Sequence, residues 1–269
     1  MNASINSKRR QTPRRTVIKL GTRVLTSGIG RLNTARIRKI CHEVAKEHAQ
    51  QESVIIVSSG AVGLGMGRLG IRERPTELSS LQKCAAVGQS ILTETWQKGF
   101  TPFGLKVAQL LLTRDDVRIP TRYESFKALL EELLLEGIIP IVNENDSIST
   151  EEITFGDNDI LSALVASAVG AKLLLILSTV EGLIDRGGTG RCVEYVKTIT
   201  PAIEAMAGDT DGPTTVGGMI TKIQAAKIAT SAGCTVFLGR GSKPEIISQA
   251  FKGIAAGTWF ASSQETASG

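Results

Sequence analysis

Short unbroken apolar runs, set between stretches of helical length, constrain this chain more than any other feature. Val54-Ile55-Ile56-Val57, Ile138-Ile139-Pro140-Ile141-Val142 and Leu173-Leu174-Leu175-Ile176-Leu177 do not alternate as a half-solvated strand would. They read as strands covered on both faces, the mark of a parallel sheet. Thr16-Val17-Ile18-Lys19-Leu20, 105–112 and 235–238 read as further strands, and 258–260 as a closing edge strand. Helices are expected at 33–50, capped by Asn33, and at 79–98, 121–136, 159–169 and 220–232, with a short one after Pro244. The Gly-rich stretch 63–70 reads as a connection leading to the 79–98 helix, and 180–201 as a hairpin excursion. Alternating strands and helices predict an α/β fold, a three-layer αβα sandwich with a mainly parallel central sheet and right-handed crossovers.

The chain has 269 residues, 42% of them hydrophobic and 21% charged, which suits a globular domain able to bury a full core. No window approaches twenty apolar residues, and the first fifteen lack the apolar core of a secretory signal. Cys41, Cys84, Cys192 and Cys234 lack metal-ligand spacing and read as buried reduced thiols of a cytoplasmic protein. His42 and His48 share one surface helix and read as solvated or half-buried rather than as ligands. Lys8, Arg9, Arg10, Arg14 and Arg15 account for the whole formal charge of +5. The basic balance therefore belongs to a leader, read as disordered, and not to a cationic face for nucleic acid. The expected organisation is a leader at 1–15, one domain at 16–260 with lobes at about 16–170 and 171–260, and a tail at 261–269.

Chemistry concentrates where these strands end. Asn143-Glu144-Asn145-Asp146 closes one apolar strand, and Gly156-Asp157-Asn158-Asp159 opens the helix after it. Ligands bind at the carboxyl ends of strands in open α/β sheets. A carboxylate and amide cluster there can hold an amine, a carboxylate-bearing substrate or a magnesium ion. Lys19-Leu20-Gly21-Thr22, Ser58-Ser59-Gly60-Ala61 and Gly217-Gly218-Met219, leading to Lys222, are the other informative ends. Glycines let backbone N–H groups approach an anion, and a helix start adds its positive dipole end. Lys19 is a charge inside an apolar strand and needs a partner, for which Asp157 and Asp159 are the candidates. Cations and N–H donors converging on one place suit phosphoryl transfer. Neither a Walker-type phosphate loop nor a G-x-G-x-x-G after the first strand is present, so the case rests on the conjunction.

These motifs, together with Ala85-Ala86-Val87-Gly88-Gln89, Leu161-Ser162-Ala163-Leu164 and Gly257-Thr258, occur in an order that resembles the glutamate 5-kinase branch of the amino acid kinase family. The resemblance runs from about residue 16 to 260. It implies the amino acid kinase fold and transfer of the ATP γ-phosphoryl to the side-chain carboxylate of L-glutamate, the first step toward proline. It implies that Lys19 and Lys222 neutralise charge on the transferred group, that Asp159 holds both lysines, and that Asp157 supports it. Ser59, Gly60, Asp146 and Asn158 would bind glutamate. Lys19, Gly21, Thr22, Ser178, Thr179, Gly217, Gly218, Met219 and Lys222 would line the nucleotide side. ATP and Mg²⁺ are the implied cofactors, with the metal held by phosphate oxygens and water rather than by protein ligands. The resemblance also implies a homodimer or homotetramer, with 85–96 and 115–135 as contacts, and feedback inhibition by proline; no membrane is expected as a partner. A C-terminal PUA domain, carried by many members, is expected to be absent here. The family pattern has Thr-Asp where Ser178-Thr179 stands and a threonine where Val216 stands, and it has a fuller 185–190 segment. All three departures fall on the nucleotide side. Two other readings fit the residues: a related kinase with another acceptor (acetylglutamate, aspartate or UMP), and a non-catalytic amino acid or nucleotide sensor.

Overall fold

The computed structural model describes residues 14–148, 158–208 and 218–264. In order, the chain forms β1 (Arg15–Leu20), α1 (Thr22–Leu25), β2 (Thr26–Gly28), β3 (Arg31–Leu32), α2 (Thr34–His48), β4 (Ser53–Ser58), α3 (Ala61–Arg68) and α4 (Leu78–Phe100). After a 3₁₀ turn at Thr101–Phe103 come β5 (Val107–Leu112), α5 (Arg114–Arg118), α6 (Pro120–Leu135), β6 (Ile139–Glu144), α7 (Asn158–Ala168) and β7 (Leu173–Ser178). The chain then forms β8 (Tyr195–Val196), α8 (Pro201–Ala205), α9 (Met219–Ser231), β9 (Thr235–Arg240), α10 (Ile246–Phe251) and β10 (Thr258–Phe260).

Eight strands make one sheet in the order β5-β6-β4-β1-β7-β9-β10-β8. Every neighbouring pair is parallel except β9 with β10. β1 lies between β4 and β7, so the connections leaving β1 and β7 turn to opposite sides and open a crevice at the carboxyl ends of the strands.

Residues alternate between two cores, as the doubly covered strands require. Val17, Ile55, Val57, Leu174 and Ile176 pack with residues of α6, α7 and α9. Ile18, Leu20, Ile56, Leu175 and Leu177 pack with residues of α2, α4 and α10. Each fully buried aliphatic side chain contributes about 1.5–3 kcal/mol. By the same alternation Lys19 shares the face of Val17, and so points toward α7 and α9 (Lys19 is 3% exposed). That placement decides which acid can meet it.

The Gly-rich stretch 63–70 is not a connection; it lies mostly within α3. Its glycines serve close packing. A Cβ on Gly65 would sit 1.8 Å from the Cys84 carbonyl oxygen, and one on Gly88 of α4 would sit 1.8 Å from that of Ala61. The two helices cross at near backbone contact, which tightens the layer under β4.

The 258–260 strand is not the edge. β8, from within the 180–201 excursion, pairs beyond it, with Trp259 opposite Tyr195 and Phe260 opposite Val196. A two-residue ladder carries too little pattern to be read in advance. Arg15, counted with the leader, opens β1; its guanidinium donates to Glu131 at 2.6 and 2.5 Å and to the Val169 carbonyl at 2.7 Å. The β2–β3 hairpin and the short helices α1, α5 and α8 were not anticipated. Cys41, Cys84 and Cys234 are buried free thiols, and burial pushes Cys41 and Cys234 up to about 12. His42 is exposed and His48 half-buried. No helix among the described residues is long and apolar enough to cross a membrane.

Candidate active site

Asp159, fully buried in the first turn of α7, is the centre of the crevice. One carboxylate oxygen meets the Lys19 ammonium from β1, and the other accepts from Lys222 Nζ of α9 at 2.9 Å. Thr221 Oγ1 lies 3.4 Å from the same oxygen and 2.9 Å from the carbonyl of Gly218, the residue before α9. Lys19 and Lys222 are 3% and 4% exposed, so two cations share one anion in the interior. That arrangement is tolerated only while the carboxylate serves both, because a lone buried ammonium is costly. It also holds two ammonium groups in fixed positions beside the strand ends, where an anion with developing charge could be received.

A second cluster begins one residue earlier and carries no formal charge. Asn158 Nδ2 donates to Ser59 Oγ at 2.7 Å, to Asn143 Oδ1 at 2.8 Å and, more weakly, to the Ser58 carbonyl at 3.4 Å. Asn143 Nδ2 donates to Gln89 Oε1 of α4 at 2.9 Å. Trp96 Nε1 pins Ser58 Oγ at 3.0 Å. Gly60 follows Ser59 at φ +114°, a conformation open to glycine, and turns the chain from β4 into α3. The starts of α3, α7 and α9 are thus joined through side chains of one crevice. Asp146 borders the cluster and lines a small cavity with Gln89, Glu144 and Asn145. Burial pushes the Asp146 carboxyl above the usual range, and the charge of Arg74 opposes the shift.

On the opposite flank, at the end of β7, Thr179 is exposed and lines a cavity of about 270 Å³ with Val180, Leu183, Met206, Met219 and Arg240. Glu181 there holds Arg240 at 2.5 Å and Lys243 at 2.6 Å, and the hydrogen bond from Lys243 keeps its carboxyl below the usual range. Among the described residues no group of three His, Cys, Asp or Glu side chains is placed to hold a metal.

The structure brings together Lys19, Lys222 and Asp159 on one side, and Ser59, Gly60 and Asn158 on the other, with Asp146 bordering them. Of the two acids weighed as the partner of Lys19, Asp159 makes the ion pair. Thr179 and Met219 both line the 270 Å³ cavity, while Ser178 uses its carbonyl to accept from Gly241 at 2.9 Å. The Gly21 N–H does not face the crevice freely; it donates to the Leu177 carbonyl at 3.1 Å, while Thr22 beside it is exposed. The Asn158 amide N–H groups turn onto Ser59 and Asn143. Asp157 and Gly217 lie outside the described residues. Gln89 closes the Ala85–Gln89 motif but was given no role from sequence, and neither were Thr221, Arg74 and Glu181; a polar residue on the buried face of α4 was the available signal for Gln89.

The model of the Amino acid kinase family matches residues 14–239. A Moorella thermoacetica protein named glutamate 5-kinase is 44% identical over 92% of this chain, which spans 66% of that relative's length. A Symbiobacterium thermophilum glutamate 5-kinase is 41% identical over 92% of this chain and 95% of its own. Among solved structures, a Giardia lamblia carbamate kinase bound to AMP-PNP superposes with TM-score 0.64 at 19% identity, covering 93% of this chain and 99% of that one. A Ureaplasma parvum UMP kinase superposes with TM-score 0.62 at 12% identity and the same coverage, so these two speak for the fold alone. The chain belongs to the amino acid kinase family.

Proposed function

We propose that this chain transfers the γ-phosphoryl of ATP to the side-chain carboxylate of L-glutamate, giving glutamyl 5-phosphate. The observation that carries the reading is the pair of buried ammonium groups, Lys19 and Lys222, held on the one carboxylate of Asp159. Phosphoryl transfer asks the protein mainly for positioning and for charge neutralisation around the transferring group. Lys19 and Lys222 take that role, and Asp159 keeps them oriented. No general base is required, because the attacking carboxylate is already ionised at neutral pH.

The neutral cluster takes the acceptor. Ser59 Oγ accepts from Asn158, which leaves its own hydrogen for a substrate carboxylate. Asp146 pairs with the substrate ammonium. The nucleotide lies toward the 171–260 side, against the cavity of Thr179 and Met219, with Gly218 and, on sequence grounds, Gly217 near its phosphates. Magnesium, when bound, would neutralise phosphate charge, held mainly by phosphate oxygens and water. Proline shares the α-carboxylate and amine of glutamate, so the same acceptor pocket is the proposed place for feedback inhibition.

A hydroxamate assay tests this reading by trapping the acyl phosphate with hydroxylamine. Product should require both ATP and L-glutamate, and added proline should compete with glutamate. Hydroxamate from another amino acid but not from glutamate would reassign the acceptor. Calorimetric glutamate binding without ATP binding would point to a sensor.

A further inference from the structure

We propose that Gln89 is a positioning residue for the acceptor substrate: through Asn143 it sets which way round the Asn158 amide stands, and thereby leaves Ser59 a hydrogen to donate. The proposal rests on the reading of Ser59 as an acceptor contact.

The two ends of an amide side chain have nearly the same shape, so its orientation is fixed by its partners and not by packing. Here the partners form a directed series. Thr93 Oγ1 has one hydrogen to donate, and the backbone carbonyl of Gln89, an acceptor only, lies 3.0 Å away to take it, with Gln109 Oε1 at 2.8 Å on another side. Its lone pair therefore faces Gln89 Nε2, 3.4 Å away. That places Gln89 Oε1 toward Asn143, whose Nδ2 donates to it at 2.9 Å. Asn143 Oδ1 is then left to accept from Asn158 Nδ2 at 2.8 Å, and the same amide donates to Ser59 Oγ at 2.7 Å. The remaining contact of Asn158, to the Ser58 carbonyl, is the longest at 3.4 Å and holds the amide weakly.

Gln89, Asn143 and Asn158 are 8%, 1% and 7% exposed, so water does little to offset a mismatched dipole. Were the Asn158 amide reversed, its oxygen would face Ser59 and take the hydroxyl hydrogen. Ser59 would then present lone pairs to an anionic carboxylate. The series thus carries polarity from α4 to the acceptor pocket, through hydrogen bonds that run among Thr93, Gln89, Asn143, Asn158 and Ser59.

Steady-state kinetics on the full chain tests this, with glutamate varied at saturating ATP and then ATP varied at saturating glutamate. Gln89→Leu should raise the glutamate KM about tenfold, the effect of one buried donor left unmatched. Its kcat and ATP KM should stay within about twofold of the parent, since the phosphoryl side is untouched. Gln89→Glu keeps an accepting oxygen opposite Asn143 and should stay within about threefold of the parent in glutamate KM. A parent-like glutamate KM in Gln89→Leu, a parallel loss of kcat and both affinities, or a Gln89→Glu variant as impaired as Gln89→Leu would overturn the proposal. If Gln89→Leu does not fold, Thr93→Val, which removes the lone pair at the head of the series, decides: glutamate KM should rise about threefold, and no change sinks the idea. A parent that makes no hydroxamate from glutamate would count against the proposed acceptor, not against the series. The same KM comparison on the amino acid it does phosphorylate would then judge Gln89.

Discussion

Asp159 and Asn158 are neighbours in the chain, yet the regions they organise are built from different materials. Asp159 gathers two ammonium groups from β1 and α9, all three side chains inside the protein. Asn158 gathers the hydroxyl of Ser59, just past β4, and the amide of Asn143 on β6, which in turn holds Gln89 of α4, with no formal charge among them. Both regions are buried to a similar depth, so burial does not separate them. The difference lies in what removal of one member leaves behind. On the ionic side it leaves an uncompensated charge; on the amide side it leaves one donor or acceptor without its match. The ionic region suits a step in which charge moves, and the neutral region suits recognition of one substrate shape.

The sharpest way to break this contrast is Asp159→Ala. With both lysines deprived of their shared carboxylate, stability should fall by about 3–5 kcal/mol in denaturant unfolding. A loss below about 1 kcal/mol would mean that the carboxylate is not what makes the buried ammonium groups tolerable. Ser59→Ala probes the neutral side. It should raise the glutamate KM about tenfold while stability and ATP KM stay near the parent. An equal loss in both KM values would erase the division into two regions.

Asp146 offers a subtler test through pH, because its two consequences have opposite signs. Burial raises its carboxyl above the ordinary value, with Arg74 opposing. A raised carboxyl favours the protonated folded state, so this group adds relative stability at low pH, and that contribution is lost as pH rises through the folded value. The proposed pairing with the glutamate ammonium would need the ionised form. The glutamate KM should therefore climb as pH falls, beginning above the usual carboxylate range, without a matching loss of folding at this group. Asp146→Asn should flatten that pH dependence. A variant that keeps the slope would remove Asp146 from the acceptor side.

Much of this was legible in the residues. The strands betrayed themselves by being apolar on both faces, and their alternation with helices led to the sheet. Lys19 was legible because a charge in an apolar strand must find a partner, and period-two alternation aims it at the start of α7. The glycines of α3 misled because glycine marks turns more often than close helix contact, and only the position of α4 reveals what Gly65 and Gly88 are for. The pairing of β8 beyond β10 was illegible because two residues carry no period. The Gln89–Asn143–Asn158 series was illegible for a deeper reason. Its three residues lie on separate elements, and an amide's direction depends on partners that only the fold brings together.

The most direct test of the central claim is the rate of glutamate- and ATP-dependent hydroxamate formation by Lys222→Ala at saturating substrates. Asp159 would keep Lys19 as its partner in that variant, so the fold should persist. The account predicts a fall of roughly 10²–10³ in kcat, as for loss of one preorganised charge-stabilising donor, with glutamate affinity by calorimetry close to the parent. A variant that turns over at the parental rate would contradict it.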